Sequence, residues 1–270
     1  MDLSKKINIV GITNVGKMRK QNEDAIQQDS TIGLAILADG MGGHLGGEVA
    51  SQMTVDSILE IVQENINKQI DNDTEFSDES ICVKEAIEYA NHLVFSTQEA
   101  QPEYKGMGTT IVTLLFYNNQ VTIAHIGDSR CYLYRNKMLE QVTKDHSLLQ
   151  ELIDRGFYTP EEAKKSSNKN LVTRALGIDP SATPDIQEDI VLKGDLFLLC
   201  SDGLTDLVED EFISLTLERF SDNLEVAAKQ LISKANDNGG KDNISVMLCY
   251  IEEDYSIKTS WFKKLVNWFD

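Results

Sequence analysis

The sequence predicts an α+β protein built on a pair of packed sheets, and three observations carry that reading. Short apolar runs bounded by turn residues recur at 7–13, 32–37, 109–117, 121–126, 131–134, 186–192, 195–200 and 244–250, lengths that suit buried strands better than helices. Helical spacing is confined to a few blocks: Val49, Met53, Val55, Ile58, Leu59 and Val62 in one, Ile81, Ala86, Ile87, Ala90, Leu93 and Val94 in the next, and residues 224–235 near the end. Asn118-Asn119 separates two of the apolar runs as a hairpin turn would.

With 270 residues the chain can bury one substantial core. Its 44 acids against 25 bases give a formal charge of −19, which repels a phosphate backbone and argues against nucleic acid as a partner. The same charge suits a protein that gathers divalent cations, although solubility alone would explain most surface acids equally well. No apolar run approaches the roughly 18 residues of a membrane span and no signal-peptide pattern opens the chain, so the expected location is the cytoplasm. Cys82, Cys131, Cys200 and Cys249 form no CxxC pair and read as reduced core residues.

Each element then has a local reason. Residues 7–13 read as a first strand. The following Gly11–Lys17 stretch fits GxxxxGK, but Met18 stands where a nucleotide loop needs Ser or Thr for magnesium, so a nucleotide site is rejected. Arg19 precedes Glu23 and Asp24; its fork of donors matches two phosphoryl oxygens, yet taken alone a surface ion pair explains it better. The run 32–37 leads into Ala38-Asp39-Gly40-Met41-Gly42-Gly43-His44. Asp39 would leave the strand end facing a cleft, and the glycines allow a close backbone approach in which a carbonyl joins a carboxylate around hard cations. Asp39 is thus the expected bridge between two divalent metals.

Two helices follow, joined by the acidic residues 71–79, which lack the glycine of a calcium loop and read as a solvated connector. The hairpin of residues 109–126 ends in Gly127-Asp128-Ser129-Arg130, where Asp128 is either a turn-capping aspartate or a ligand. Residues 145–184 break the strand pattern, with a helix expected over 145–155 and a short second one starting at Thr159-Pro160-Glu161-Glu162, and read as an inserted flap beside the site. Apolar strands then end at Ser201-Asp202-Gly203 and begin after Lys241-Asp242-Asn243. An isolated Asp-Gly is only a common turn dipeptide. Carboxylates recurring at strand boundaries, with no His-rich or Cys-rich ligand set, select Mg2+ or Mn2+ over zinc or copper. Both tryptophans fall in residues 261–269 on one face of an amphipathic piece opposite Lys263 and Lys264. Docking on the protein itself or on a partner is preferred there to an interfacial membrane contact.

Gly16-x-x-Arg19-x-x-Asn22-Glu23-Asp24, Asp39-Gly40-Met41-Gly42-Gly43-His44, Met107-Gly108-Thr109-Thr110, Gly127-Asp128-Ser129-Arg130, Ser201-Asp202-Gly203-Leu204 and Asp242-Asn243, in this order, resemble the metal-dependent serine/threonine protein phosphatases of type 2C, the PPM family, in its bacterial branch. The resemblance spans residues 7–251, leaving 252–270 as a tail. It implies a four-layer α-β-β-α sandwich of two antiparallel sheets flanked by helices. It also implies that Asp39 bridges two Mn2+ or Mg2+ ions, that the Gly40 carbonyl binds one, that Asp202 and Asp242 hold the other, and that Asp128 with Asp202 holds a third, looser ion. Glu23 and Asp24 would act largely through metal-bound water, and Arg19 would grip the substrate phosphate.

The implied activity is hydrolysis of phosphoserine and phosphothreonine in proteins, opposing a bacterial Ser/Thr kinase, by a monomeric enzyme. Paired cations make hydroxide available near neutral pH for in-line attack. Where eukaryotic relatives carry His after Asp-Gly this chain has Met41. His44 is then the nearest candidate acid, with backbone hydrogen bonding as its other reading and a metal-bound water as the other acid. A phosphoprotein-binding module of the same fold, or a phosphatase within a stress-signalling switch, are the alternative functions.

Overall fold

The computed structural model describes residues 2–42, 46–68, 75–159, 162 and 171–256. Its strands are β1 (Ile7–Asn14), β2 (Asp24–Asp29), β3 (Leu34–Met41), β4 (Gly108–Thr109), β5 (Ile111–Tyr117), β6 (Gln120–Ile126), β7 (Arg130–Arg135), β8 (Met138–Gln141), β9 (Asp185–Ile190), β10 (Leu196–Cys200) and β11 (Ile244–Ile251). The helices, numbered separately in chain order, are α1 (Gly46–Asn65), α2 (Asp78–Ala100), α3 (Leu148–Asp154), α4 (Asp202–Thr205), α5 (Asp210–Arg219) and α6 (Leu224–Asp237).

One sheet has the order β1-β11-β10-β7-β8 and the other β2-β3-β5-β6-β9, with β4 beside β3; the strand pairings are antiparallel throughout. Alternation along β3 shows how the layers are made. Ala35 and Leu37 face the other sheet, where they join Phe116, Phe197, Leu199 and Met247 in a core between the sheets. Leu34, Ile36 and Ala38 point the other way, onto Val55, Ile58, Ala86 and Ile87 of α1 and α2. On the far sheet, Leu198, Val246 and Leu248 are covered by Ile213 and Leu217 of α5 and Leu231 of α6. The result is the expected α-β-β-α sandwich. Strands with both faces covered read as continuous apolar runs, which is why β5 and β10 were so plain in the sequence.

The Asn118-Asn119 turn forms as expected, with φ of 43° and 57°, the left-handed pair that a tight hairpin requires. Asn136 and Lys137, φ 52° and 65°, make a second such turn between β7 and β8 that the apolar pattern did not reveal, because β8 is exposed and polar. Strand β2, Asp-Ala-Ile-Gln-Gln-Asp, was hidden for a similar reason: it is a sheet edge with little apolar alternation. Helix α3 starts at Leu148 rather than Asp145 because Ser147 caps it, accepting a hydrogen bond from the Gln150 amide. The second short helix, the acidic connector at 71–79 and the tail at 252–270 lie outside the described residues in whole or part.

The core continues past residue 251, since Tyr255 is 1% exposed and packs between the sheets. All four cysteines are free and buried. Among the described residues no helix is long and apolar enough to cross a membrane. Phe197 meets Phe116 edge-on across the sheets at 5.5 Å between ring centroids, so Phe197→Ala should leave a cavity there and cost about 3–5 kcal/mol, read as a lowered midpoint in urea denaturation.

Candidate metal centre

Register brings distant acids to one rim. In the first sheet Asn14 pairs with Ile244 and Cys200 with Arg130, so the end of β1, the start of β11, the end of β10 and the start of β7 all lie at the same edge. In the second, Asp39 of β3 sits beside Asp24 of β2, and the start of β5 meets the end of β6. Asp39, Asp128, Asp202, Asp242, Glu23 and Arg19 consequently line a single cleft with Gly40, Met41, Gly42 and Thr110. Two positions differ locally from expectation. Asp39 lies within β3, which runs on to Met41, and Asp202 opens helix α4 after β10 has ended at Cys200.

The backbone around these acids is tightly braced. Thr110 donates its amide to the Asp39 carbonyl at 2.9 Å and accepts the Asp39 amide on Oγ1 at 3.1 Å, fixing the residue from both sides. Asn243 accepts the Glu23 amide at 2.8 Å and donates to the carbonyls of Val15 and Gln21, which holds the loop that carries Arg19. Two glycines are sterically required. A Cβ on Gly40 would stand 2.2 Å from the Gly47 carbonyl oxygen, and one on Gly203 would stand 1.8 Å from that of Asn243.

Arg19 donates to Asp242 Oδ2 at 2.7 Å and lies 3.8 Å from Glu23 Oε2. Burial works against its cation, but the Asp242 hydrogen bond and surrounding acids outweigh this and raise its pKa. Asp24 does not line the cleft. It is buried behind it, accepting from Ser201 Oγ at 2.9 Å and Ser245 Oγ at 2.6 Å, and burial pushes its pKa to about 6 despite those bonds. His44 lies outside the described residues. From the segment expected as a flap, Leu171 and Val172 reach the cleft wall.

Charge is the dominant feature. Asp39 and Asp202 keep an opening to the cleft while protein surrounds them elsewhere; burial first, then the neighbouring carboxylates, holds both well above the usual carboxylate range. Asp128 rises to about 6 through burial, aided by Asp145. Among the described residues Arg19 is the only base lining this cleft. A crowded set of hard oxygen donors carrying more negative charge than nearby cations neutralise is what a pair of Mg2+ or Mn2+ ions requires, so the residues present fit the group. Sequence reasoning gave no individual role to Thr110, Asn243, Ser201 or Ser245. Their types were visible, but their partners lie far away along the chain.

The family model described as Protein phosphatase 2C matches residues 19–244. The chain is similar to the serine/threonine protein phosphatase PstP of Mycobacterium tuberculosis, 38% identical over 242 residues that make up 89% of this chain but 44% of PstP. It thus spans less than half the length of that relative. It is also similar to the serine/threonine phosphatase stp of Listeria monocytogenes, 35% identical over 249 residues, covering 91% of this chain and 96% of the relative. A crystal structure of the PstP catalytic domain in complex with two manganese ions superposes with a TM-score of 0.79 at 34% identity, covering 92% of this chain and 99% of that one.

A carboxylate whose folded pKa exceeds its unfolded value stabilises the native state most below the unfolded pKa and loses that contribution as pH rises through the folded one. With Asp24 and Asp128 both near 6, the protein in chelator should gain about 1–3 kcal/mol as pH falls from 7.5 to 5. Added Mn2+ should stabilise it more at pH 7.5 than at 5, because ligands must be ionised. Thermal melts across that range check both signs.

Proposed function

This chain belongs to the protein phosphatase 2C family, and from that premise we propose that it hydrolyses phosphoserine and phosphothreonine in proteins with a pair of Mn2+ or Mg2+ ions. The observation that carries the reading is the convergence of Asp39, Asp202, Asp242 and Asp128 on one cleft together with Arg19. Asp39 would hold both ions, the Gly40 carbonyl one of them, Asp202 and Asp242 the other, and Asp128 with Asp202 a third. When bound, such ions polarise phosphoryl oxygens and lower the pKa of water to near neutrality.

The chain's own groups supply the rest. Thr110 and the Gly40–Gly47 contact hold Asp39 in place before substrate arrives, so little reorganisation is needed on binding. Glu23 faces the cleft beside Arg19, where it can orient water. Asp24 supports Asp39 from behind, anchored by Ser201 and Ser245. Arg19 is half exposed on a single strong contact; turning from Asp242 to a phosphate dianion exchanges one charge-assisted bond for a two-pronged one. His44 is the proposed proton donor to the departing serine or threonine oxygen. The segment 145–184 acts as a flap over the cleft, a role supported by Leu171 and Val172 in its wall. Substrates are phosphoproteins of the cell that makes this chain, with a Ser/Thr kinase as opposing partner, and the working form is a cytoplasmic monomer.

Purified Asp39→Asn should keep its circular dichroism and lose about 10^3-fold or more of Mn2+-dependent turnover of p-nitrophenyl phosphate, the kinetic equivalent of several kcal/mol. Arg19→Ala should lower kcat/KM by about 10–100-fold, as expected for one charge-assisted contact of roughly 1.5–3 kcal/mol. A panel of phosphopeptides against small phosphate metabolites tests the substrate class; preference for the metabolites would refute the protein-phosphatase reading.

A further inference from the structure

The tightest knot of metal-ligating side chains among the described residues is not the acidic cleft. It is His125, His146 and Asp185, whose ligand atoms all lie within 4.8 Å of one another. A guanidinium already occupies it: Arg174 Nη1 is 2.7 Å from Asp185 Oδ1 and 2.8 Å from His146 Nε2, and Arg174 Nη2 donates to the Thr183 carbonyl. A fixed cation in that position opposes a second one, so the knot serves another purpose.

That purpose follows from what His146 does on its other side. Its backbone amide donates to the Gly127 carbonyl at 2.9 Å, and the Gly127 amide donates to its Nδ1 at 3.0 Å. Gly127 is therefore gripped at both peptide groups by one residue, immediately before Asp128. Its backbone needs the grip: φ is +111°, and a Cβ there would stand 2.6 Å from Thr110 Cβ. A bare Nδ1 places the ring proton on Nε2, 3.2 Å from Asp185 Oδ2; Arg174, which can only donate, then acts on the ring through Asp185, which accepts from it at 2.7 Å, and not through Nε2. Burial, followed by the adjacent His125 ring, keeps the His146 pKa low and the ring neutral. His125 stacks on it at 4.6 Å and is itself fixed to the Lys144 carbonyl at 2.8 Å. The His146 carbonyl accepts the Thr173 amide at 2.8 Å, so segment 171–183 is tied to the same point twice, through Thr173 and Arg174.

We propose that His146 is a positioning residue that sets the Asp128 carboxylate for its cation by clamping Gly127, with Asp185 fixing the ring and Arg174 holding Asp185 and linking it to segment 171–183. The inference rests on Asp128 as a ligand of the third ion. Removing a hydrogen-bonded partner one step behind a metal ligand lowers metal affinity by about 10–100-fold, and the loss should fall on one ion only.

Calorimetric Mn2+ titration of the whole chain, without substrate, reads this out. Asp128→Asn should abolish the weakest binding event, and His146→Ala should weaken the same event by about 10-fold or more while sparing the tighter ones. His146→Asn, whose Oδ1 falls near the place of Nδ1, should restore most of it, and adding His146→Ala to Asp128→Asn should change nothing further. In the unmutated protein, a through-hydrogen-bond 15N–15N coupling should join the Gly127 amide to His146 Nδ1. Absence of that coupling overturns the clamp even if the alanine variant fails to fold. A weakest event that disappears in Asp128→Asn yet is unaltered in His146→Ala overturns the clamp and leaves the ligand assignment standing. A weakest event unaltered in Asp128→Asn overturns the ligand assignment, and the clamp's purpose with it.

Discussion

Mutual repulsion among carboxylates at one rim of the sandwich is the constraint to which the rest of the structure answers. Asp39, Asp202 and Asp128 are all held above the ordinary carboxylate range by burial and by other acids. Without cations such a cleft costs stability, since each charge is removed from water with no adequate partner. The four-layer core supplies the opposing free energy. Its central strands are covered on both faces.

Precision at the rim comes from neutral groups rather than from the acids. Thr110 ties Asp39 to β5, Asn243 ties the Arg19 loop to the start of β11, and Ser201 with Ser245 holds Asp24 beneath. These hydrogen bonds each join segments remote in the chain, so the cleft assembles only when both sheets have formed. Hydroxyl and amide groups suit the task because they can brace a carboxylate or its backbone without adding charge that would compete with a cation.

Much of the site was legible beforehand because its chemistry is concentrated in short motifs. Asp39-Gly40, Asp202-Gly203 and Asp242-Asn243 announce themselves by type, order and position at strand ends, and the structure lines one cleft with the three aspartates. What stayed hidden shares one property: its meaning depends on a partner elsewhere. Asp24 looked equivalent to Glu23 in sequence, yet pairing with β3 sends it behind the cleft. His146 looked like an ordinary residue in the first turn of a helix until the fold placed it against Gly127. Edge strands β2 and β8 escaped notice because an edge with polar residues along it carries little apolar alternation.

The sequence by itself determined the class of fold, the oxygen-only character of the donor set and the identity of the residues that carry charge, since hydrophobic period and side-chain chemistry are local properties. Only the tertiary structure decided which acid faces the cleft and which supports it, that Arg19 rests on Asp242, and that one histidine grips the turn before Asp128. Those outcomes depend on strand register and loop packing, where a shift of one residue turns a side chain to the opposite face.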